Sequence, residues 1–269
     1  MSWFERFILF LQSDMETPTR FGWFHIGWLI LTFVFIIFLA IRVKKYSDKQ
    51  LKLVIGTYGI IAFIFELLKQ ISWAFTYDAA TKVVTWNYEW YAAPFQLCTT
   101  PIYVCLICLF LKKCKLRDSL LSFIAYVTIL GSISTMILPD SCFVSDILVN
   151  IHTMWLHMGS FVVSVYLLMS GAVKISLDSW KKAVSVFILL VGFALGLNIG
   201  IYNSGILNGE TFNMFYISPY FISILPVFNI IQENVPYVLF LSSYVIALSL
   251  GSLVIYLLSR LIKFCIGKK

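Results

Sequence analysis

Apolar residues run in seven long stretches along this chain, at residues 21–41, 51–72, 94–111, 119–138, 147–171, 184–202 and 237–262, separated by polar connections. A helix needs about 20 predominantly apolar residues to cross a hydrocarbon layer about 30 Å thick, so each stretch predicts one transmembrane helix. Two further segments are apolar but cannot span. Residues 1–20 interleave Trp3, Phe4, Phe7, Ile8, Phe10 and Leu11 with Glu5, Arg6 and Gln12. That pattern predicts an interfacial amphipathic helix on the outer surface, and it lacks the basic start and small-residue cleavage site of a signal peptide. Residues 203–236 are apolar but broken by Gly205, Gly209, Pro219, Pro226 and Pro236. They predict an outer lid, re-entrant or surface-lying, because irregular backbone at membrane depth is tolerated only where it packs on protein or lines a wet cavity. With no internal repeat and no soluble module, the chain reads as a single all-α integral membrane domain over residues 1–269.

Charge gives each predicted helix a direction. Arg42, Lys44, Lys45, Lys49 and Lys52 follow the first stretch; Lys112, Lys113, Lys115 and Arg117 follow the third. Lys174, Lys181 and Lys182 follow the fifth, and Arg260, Lys263, Lys268 and Lys269 end the seventh. Only Arg6, Arg20, Lys69 and Lys82 lie elsewhere. Short cytoplasmic loops retain Lys and Arg, so this asymmetry predicts an outer N-terminus and a cytoplasmic C-terminus.

Composition agrees with a multi-pass protein of the cell membrane. The chain is 60% hydrophobic and only 12% charged, against about 25% charged in a soluble domain. Its net charge of +7 is spread over four short loops beside apolar runs, which argues against a nucleic-acid partner and for contact with membrane lipids. The outer connections hold aromatic clusters, including Trp73, Trp86, Tyr88, Trp90 and Tyr91, which suit an interfacial belt. The six cysteines form no disulfide framework. Cys105 and Cys108 sit mid-stretch without a second pair, so they read as packing residues.

Polar residues inside membrane helices are costly, and here their depth is informative. The inferred directions put His25, Glu66, Lys69, Gln70, Gln96, Cys98, Thr99, Thr100, Asp140, His152, His157, Asn198 and Asn203 near outer helix ends, and leave the cytoplasmic halves nearly bare of buried ionisable groups. Five helices contributing polar groups to one leaflet predict a cavity open to the outer side. Glu66 and Lys69, spaced i,i+3, also suit a mutually neutralising pair. His152 and His157 are five residues apart, about 140° around a helix, so they cannot both face one metal ion. Neither metal nor cofactor is expected.

A Cys near the start of one helix and a His on another are the minimum for an activated thiolate, the His removing the thiol proton and returning it to the leaving group. Cys98 opens the third stretch, where unpaired N–H groups and the positive helix end favour a thiolate or an oxyanion. Thr99 and Thr100 are alternative nucleophiles, and ordinary helix packing is the competing reading of the thiol.

The chain resembles the YwaF-type bacterial integral membrane proteins. The matching features are Trp23 to Trp28 around His25, Pro94-Phe95-Gln96-Leu97-Cys98, Leu138-Pro139-Asp140, His157, and the stretch from Asn213-Met214 to Pro219. More distantly it is similar to a eukaryotic transmembrane acyltransferase that moves fatty acyl chains onto lysophospholipids through a Cys and a His. His157 falls at that His. The eukaryotic P-C-H-L motif reads Pro94-Phe95-Gln96-Leu97 here, with Cys98 one turn beyond Phe95 on nearly the same face.

The expectation is a lipid acyltransferase or acyl hydrolase with Cys98 and His157 catalytic, and with His25, Glu66, Lys69, Gln96, His152 and Asn198 binding a lipid substrate. The alternative is a transporter or receptor that binds a small polar solute from the outer side. A transporter usually shows repeats or broken helices at the midplane, and neither is visible here.

Overall fold

The computed structural model describes residues 1–42, 47–78, 80–140 and 142–266. Lys44, Lys45, Lys268 and Lys269, four of the cations that predict orientation, lie outside the described residues. Helices α1 (Trp3–Leu11), α2 (Trp23–Arg42), α3 (Asp48–Ser72) and α4 (Thr100–Phe110) lead to a long helix made of α5 (Lys115–Phe123), a π-helical turn at Ile124–Thr128, and α6 (Ile129–Ile137). Then come α7 (Ile147–Met169), α8 (Leu177–Asn203), α9 (Phe228–Asn234) and α10 (Tyr237–Ile266).

Among the described residues six helical stretches are long and apolar enough to cross a membrane: α2, α3, Lys115–Ile137, α7, α8 and Tyr237–Cys265 within α10. The third expected span differs. Residues 94–111 contain only the 11-residue α4, about 16 Å at 1.5 Å per residue. Pro94 and Pro101 lack an N–H donor. Thr99 Oγ1 accepts from the Gln96 N–H at 3.0 Å and donates to the Gln96 carbonyl at 2.9 Å, locking turns that compete with helix. α4 nevertheless runs down the flank of α3. A Cβ on Gly59 would lie 3.1 Å from Cys105 Cβ, and one on Gly56 would lie 3.2 Å from Leu109 Cδ2. Cys105 and Cys108, both fully buried, pack in this region.

The π-helical turn has an identifiable cause. Ser164 of α7 donates to the Ile124 carbonyl at 2.8 Å and Thr128 donates to the same oxygen at 3.0 Å. Ser160 stands 3.2 Å from the Thr128 hydroxyl. The widened turn thus turns a carbonyl toward a neighbouring helix. Around it Phe123, Ile124, Tyr126, Tyr166, Phe187 and Tyr244 belong to the main core.

The expected all-α class needs one correction, because the outer connection after α3 contains an antiparallel hairpin, β1 (Phe75–Asp78) with β2 (Val83–Trp86). Its residues are mostly aromatic, Thr or Val, as a pleated half-exposed surface prefers. Asp78 accepts from the Ala80 N–H at 2.9 Å and the Thr81 hydroxyl at 2.7 Å, which shapes the turn. These bonds, Thr81 first, hold its carboxyl below the usual range.

Helix α1 starts with a capping box between Ser2 and Glu5. It buries Ile8 and Leu11, and Gln12 donates to the carbonyls of Ser72 and Phe75 at 2.8 and 2.7 Å. The segment therefore clips onto the end of α3 and the hairpin. Residues 203–236 contain no spanning helix. They form a 3₁₀ turn at Met214–Tyr216, irregular chain and the 7-residue α9.

The α3–α4 contact makes a checkable outcome. Gly59→Leu should cost about 1–3 kcal/mol, the usual penalty of overpacking, read as a lower thermal midpoint of the purified protein in detergent.

Candidate functional site

Positions 66, 69 and 70 share one face of α3 through i,i+3 and i,i+4 spacing. Lys69 Nζ lies 2.8 Å from Glu66 Oε1, and Gln70 donates to the same oxygen at 2.8 Å. Across the interface with α7, His152 Nε2 lies 2.9 Å from Glu66 Oε2, at ion-pair distance but not aligned as a hydrogen bond. Glu66, Lys69 and His152 are 2%, 8% and 3% exposed, so the carboxylate is enclosed with a cation and an imidazole around it. A second layer closes the cluster toward the hairpin. Gln70 also donates to the Ala92 carbonyl at 2.7 Å and accepts from the Tyr88 hydroxyl at 2.7 Å. Burial first, and then the Glu66 charge, push the Tyr88 phenol up to about 12. It therefore remains a donor throughout the physiological range. Trp73 covers the cation, with Lys69 Nζ 5.8 Å from its ring centroid.

Cys98 lies in the turn just before α4, two residues ahead of the first helical position. It is half-buried, and burial, the largest influence on the thiol, pushes it up to about 12, with the Lys69 charge acting in the opposite sense. The expected Cys98–His157 pair is not joined. Among the described residues no hydrogen bond connects them, and the groups acting on His157 are His152 and the Gly131 backbone, placing its ring toward the start of α6. His152 faces α3 and His157 faces α6, as their angular separation on α7 requires.

Three other expected site residues are fully engaged with backbone. Gln96 donates to the Asn213 carbonyl at 3.0 Å and accepts from the Phe215 N–H at 2.8 Å. Asn198 donates to the Met214 carbonyl at 3.0 Å and accepts from the Met214 N–H at 2.7 Å. Together they grip residues 213–215, where Phe215 and Tyr216 both adopt positive φ, 58° and 57°. His25 Nδ1 accepts from the Phe21 N–H at 3.1 Å, so Nε2 carries the proton and donates to the Met136 carbonyl at 3.1 Å. It staples the start of α2 to the end of α6 beside the Arg20–Asp140 ion pair. That pair, Arg20 first, holds the Asp140 carboxyl low.

Phe95, at the place of the nucleophile in the P-C-H-L motif, is packed between Phe215 and Phe193, with centroids 5.6 and 4.9 Å away. Three residues of this region were given no role of their own by the sequence. Asn213 accepts from the Ser218 N–H at 2.8 Å and donates to the Phe221 carbonyl at 3.2 Å. Gln232 accepts from the Ser223 N–H at 2.7 Å and donates to the Ser218 carbonyl at 2.9 Å. Tyr237 donates to the Ile217 carbonyl at 2.7 Å. A signal was present, because amide side chains bordering a Pro-broken apolar segment are natural partners for its unpaired backbone.

The expectation that the opposite ends are nearly bare of buried ionisable groups also needs correction. Arg117, read as an orienting surface charge, is 2% exposed and pairs with Asp48 at 2.5 Å. Its partner lies at the first turn of α3, out of reach of an argument that treats each loop separately.

The model of the TMEM164 family matches residues 20–259. The chain belongs to that family, a family of transmembrane proteins. No curated protein and no solved structure matches the chain.

Removing one member of the enclosed cluster should cost more than removing two. Glu66→Leu strands the Lys69 ammonium and is expected to destabilise by about 3–5 kcal/mol, whereas Glu66→Leu/Lys69→Leu recovers at least half of that loss. Thermal unfolding of both purified variants reads the difference.

Proposed function

We propose that this TMEM164-family protein is a membrane-embedded enzyme that transfers or hydrolyses a lipid acyl chain, with Cys98 as nucleophile and the site opening to the outer leaflet. The observation that carries this reading is a half-buried thiol in the turn before α4, a helix that packs along α3, which carries the enclosed Glu66–Lys69 pair that His152 completes. Lys69 supplies positive charge where a thiolate or an ester oxyanion develops.

In the proposed reaction the Cys98 thiolate attacks an ester carbonyl carbon. The tetrahedral adduct collapses, the bond to the glycerol oxygen breaks, and a protonated histidine delivers the proton that the lysolipid alcohol needs. An acceptor alcohol or water, deprotonated by the same histidine, then attacks the thioester and releases the thiol. His157 is the base by resemblance. His152 is the second candidate base, because it lies on the side of α7 that meets α3 and Glu66 of α3 stands against its ring. His25, Gln96 and Asn198 support the surrounding backbone, and residues 203–236 form the lid over the site.

Binding of a small polar solute is the second reading. The observation in its favour is that no hydrogen bond joins Cys98 to His157 among the described residues, while the Glu66–Lys69–His152 cluster is complete without the thiol. Separate variants decide between the readings. Cys98→Ala in the reconstituted protein should abolish transfer of a radiolabelled acyl chain between a phospholipid and a lysophospholipid while leaving the thermal midpoint unchanged. Loss in only one of His152→Gln and His157→Gln identifies the base. Wild-type protein without any transfer or hydrolysis would remove the enzymatic reading.

The proposed orientation puts the hairpin outside and the α4–α5 connection in the cytoplasm. An impermeant maleimide applied to intact cells should label an Ala80→Cys variant and spare Cys114, which is exposed but on the opposite side. The reverse pattern would move the site to the inner leaflet.

A further inference from the structure

A groove of ≈ 240 Å³ runs between α2, α3 and α7, away from the enclosed charges. Its walls include Trp28, Phe35 and Leu39 of α2, Val54 and Tyr58 of α3, and Val162 of α7. Three of its polar neighbours already have partners. Thr32 donates to the Trp28 carbonyl at 2.8 Å, Tyr58 to the Leu156 carbonyl at 3.1 Å, and Trp155 to the Tyr58 carbonyl at 3.4 Å. The floor is set by Gly159, where a Cβ would come within 2.7 Å of the Tyr58 ring. Leu31, Phe38 and Leu53 are exposed along the rim, so the groove opens sideways toward the hydrocarbon.

Length and charge limit the occupant. From Trp28 to Leu39 the groove follows α2 for about 16 Å at 1.5 Å per residue, which is about one leaflet of a hydrocarbon core roughly 30 Å thick. One end is basic. The Arg42 guanidinium lies 5.3 Å from the centroid of the Phe38 ring, in the last turn of α2. Lys49 stands one turn before Leu53 on the same face of α3. Asp48, the carboxylate there, is paired with Arg117 at 2.5 Å and Lys52 at 4.0 Å.

We infer that the α2–α3–α7 groove holds one acyl chain of an anionic phospholipid, with its headgroup phosphate at Arg42 and Lys49. The chain fills a slot lined almost wholly by apolar side chains, and the headgroup lies where the cations snorkel. This site is separate from Cys98 and does not depend on the enzymatic reading.

The test uses the full chain in phosphatidylcholine vesicles containing a minor fraction of phosphatidylglycerol with a mid-chain diazirine. After photolysis, labelled peptides are mapped by mass spectrometry. Label should concentrate on the groove faces of α2, α3 and α7 over the lipid-facing surface of α10, and the equivalent diazirine phosphatidylcholine should not show this enrichment. Arg42→Gln and Lys49→Gln should each lower the phosphatidylglycerol labelling about five-fold, the share of one basic residue at a membrane surface. Val162→Trp should remove groove labelling and leave α10 labelling unchanged. Equal labelling of groove and α10, equal labelling by the two lipids, or full labelling of a correctly folded Val162→Trp protein would overturn the inference. If Val162→Trp does not fold, the two charge variants decide alone, and unchanged labelling in both overturns it.

Discussion

Backbone that leaves the helix inside a membrane must still find hydrogen-bond partners, because hydrocarbon supplies none. Side-chain amides meet that constraint here. Gln96, Asn198, Asn213 and Gln232 each donate and accept, and each takes both a carbonyl and an N–H of residues 213–223. Asn150 does the same at the start of α7, where it holds both backbone groups of Val144. A side-chain amide copies the donor–acceptor pair of a neighbouring strand without needing a strand. The irregular segment can therefore lie against α8 and the turn before α4, and Phe215 and Tyr216 can keep positive φ, because the surroundings fix both sides of the turn.

The same principle accounts for the enclosed charges. A carboxylate buried alone would be prohibitively costly, and Glu66 is tolerated because Lys69, Gln70 and His152 surround it. That enclosure depends on parts far apart in sequence. Gln70 is oriented by Tyr88 beyond the hairpin, and Trp73 covers Lys69. The hairpin is in turn tied to α1 by Gln12, so the N-terminal helix supports the cluster indirectly.

Hydrophobic length made most of the architecture legible in the sequence. Six expected spans appear as helices long and apolar enough to cross, with ends near the expected ones except at the start of α8, which begins at Leu177 where residue 184 was expected. The third failed because hydropathy counts Pro94, Pro101 and the residues between them as membrane-compatible without asking whether their backbone can be helical. The hairpin was hidden within an aromatic cluster that an interfacial belt also explains. At the site, depth placed Glu66, Lys69 and His152 in one large group, and the structure brings these three into contact. It could not separate residues facing the cluster from residues facing backbone, which is why Gln96, Asn198 and His25 looked alike from the sequence. Arg117 was misread for a related reason, since its burial depends on Asp48, sixty-nine positions away.

Helix α7 divides these roles by angle alone. His152, Trp155 and Gly159 follow i, i+3 and i+7 spacing, so they form one stripe toward α3, running from the charged cluster to the apolar groove. His157 lies off that stripe, toward α6. Ser160 and Ser164 continue on the side that meets the widened turn at Ile124. A rotation of α7 about its axis would therefore move His152 from Glu66, Gly159 from the Tyr58 ring and Ser164 from the Ile124 carbonyl together. The π-helical turn opposes such rotation because its carbonyl accepts from Ser164 at 2.8 Å. Buried serine hydroxyls in the core thus fix the facing of a histidine several turns away.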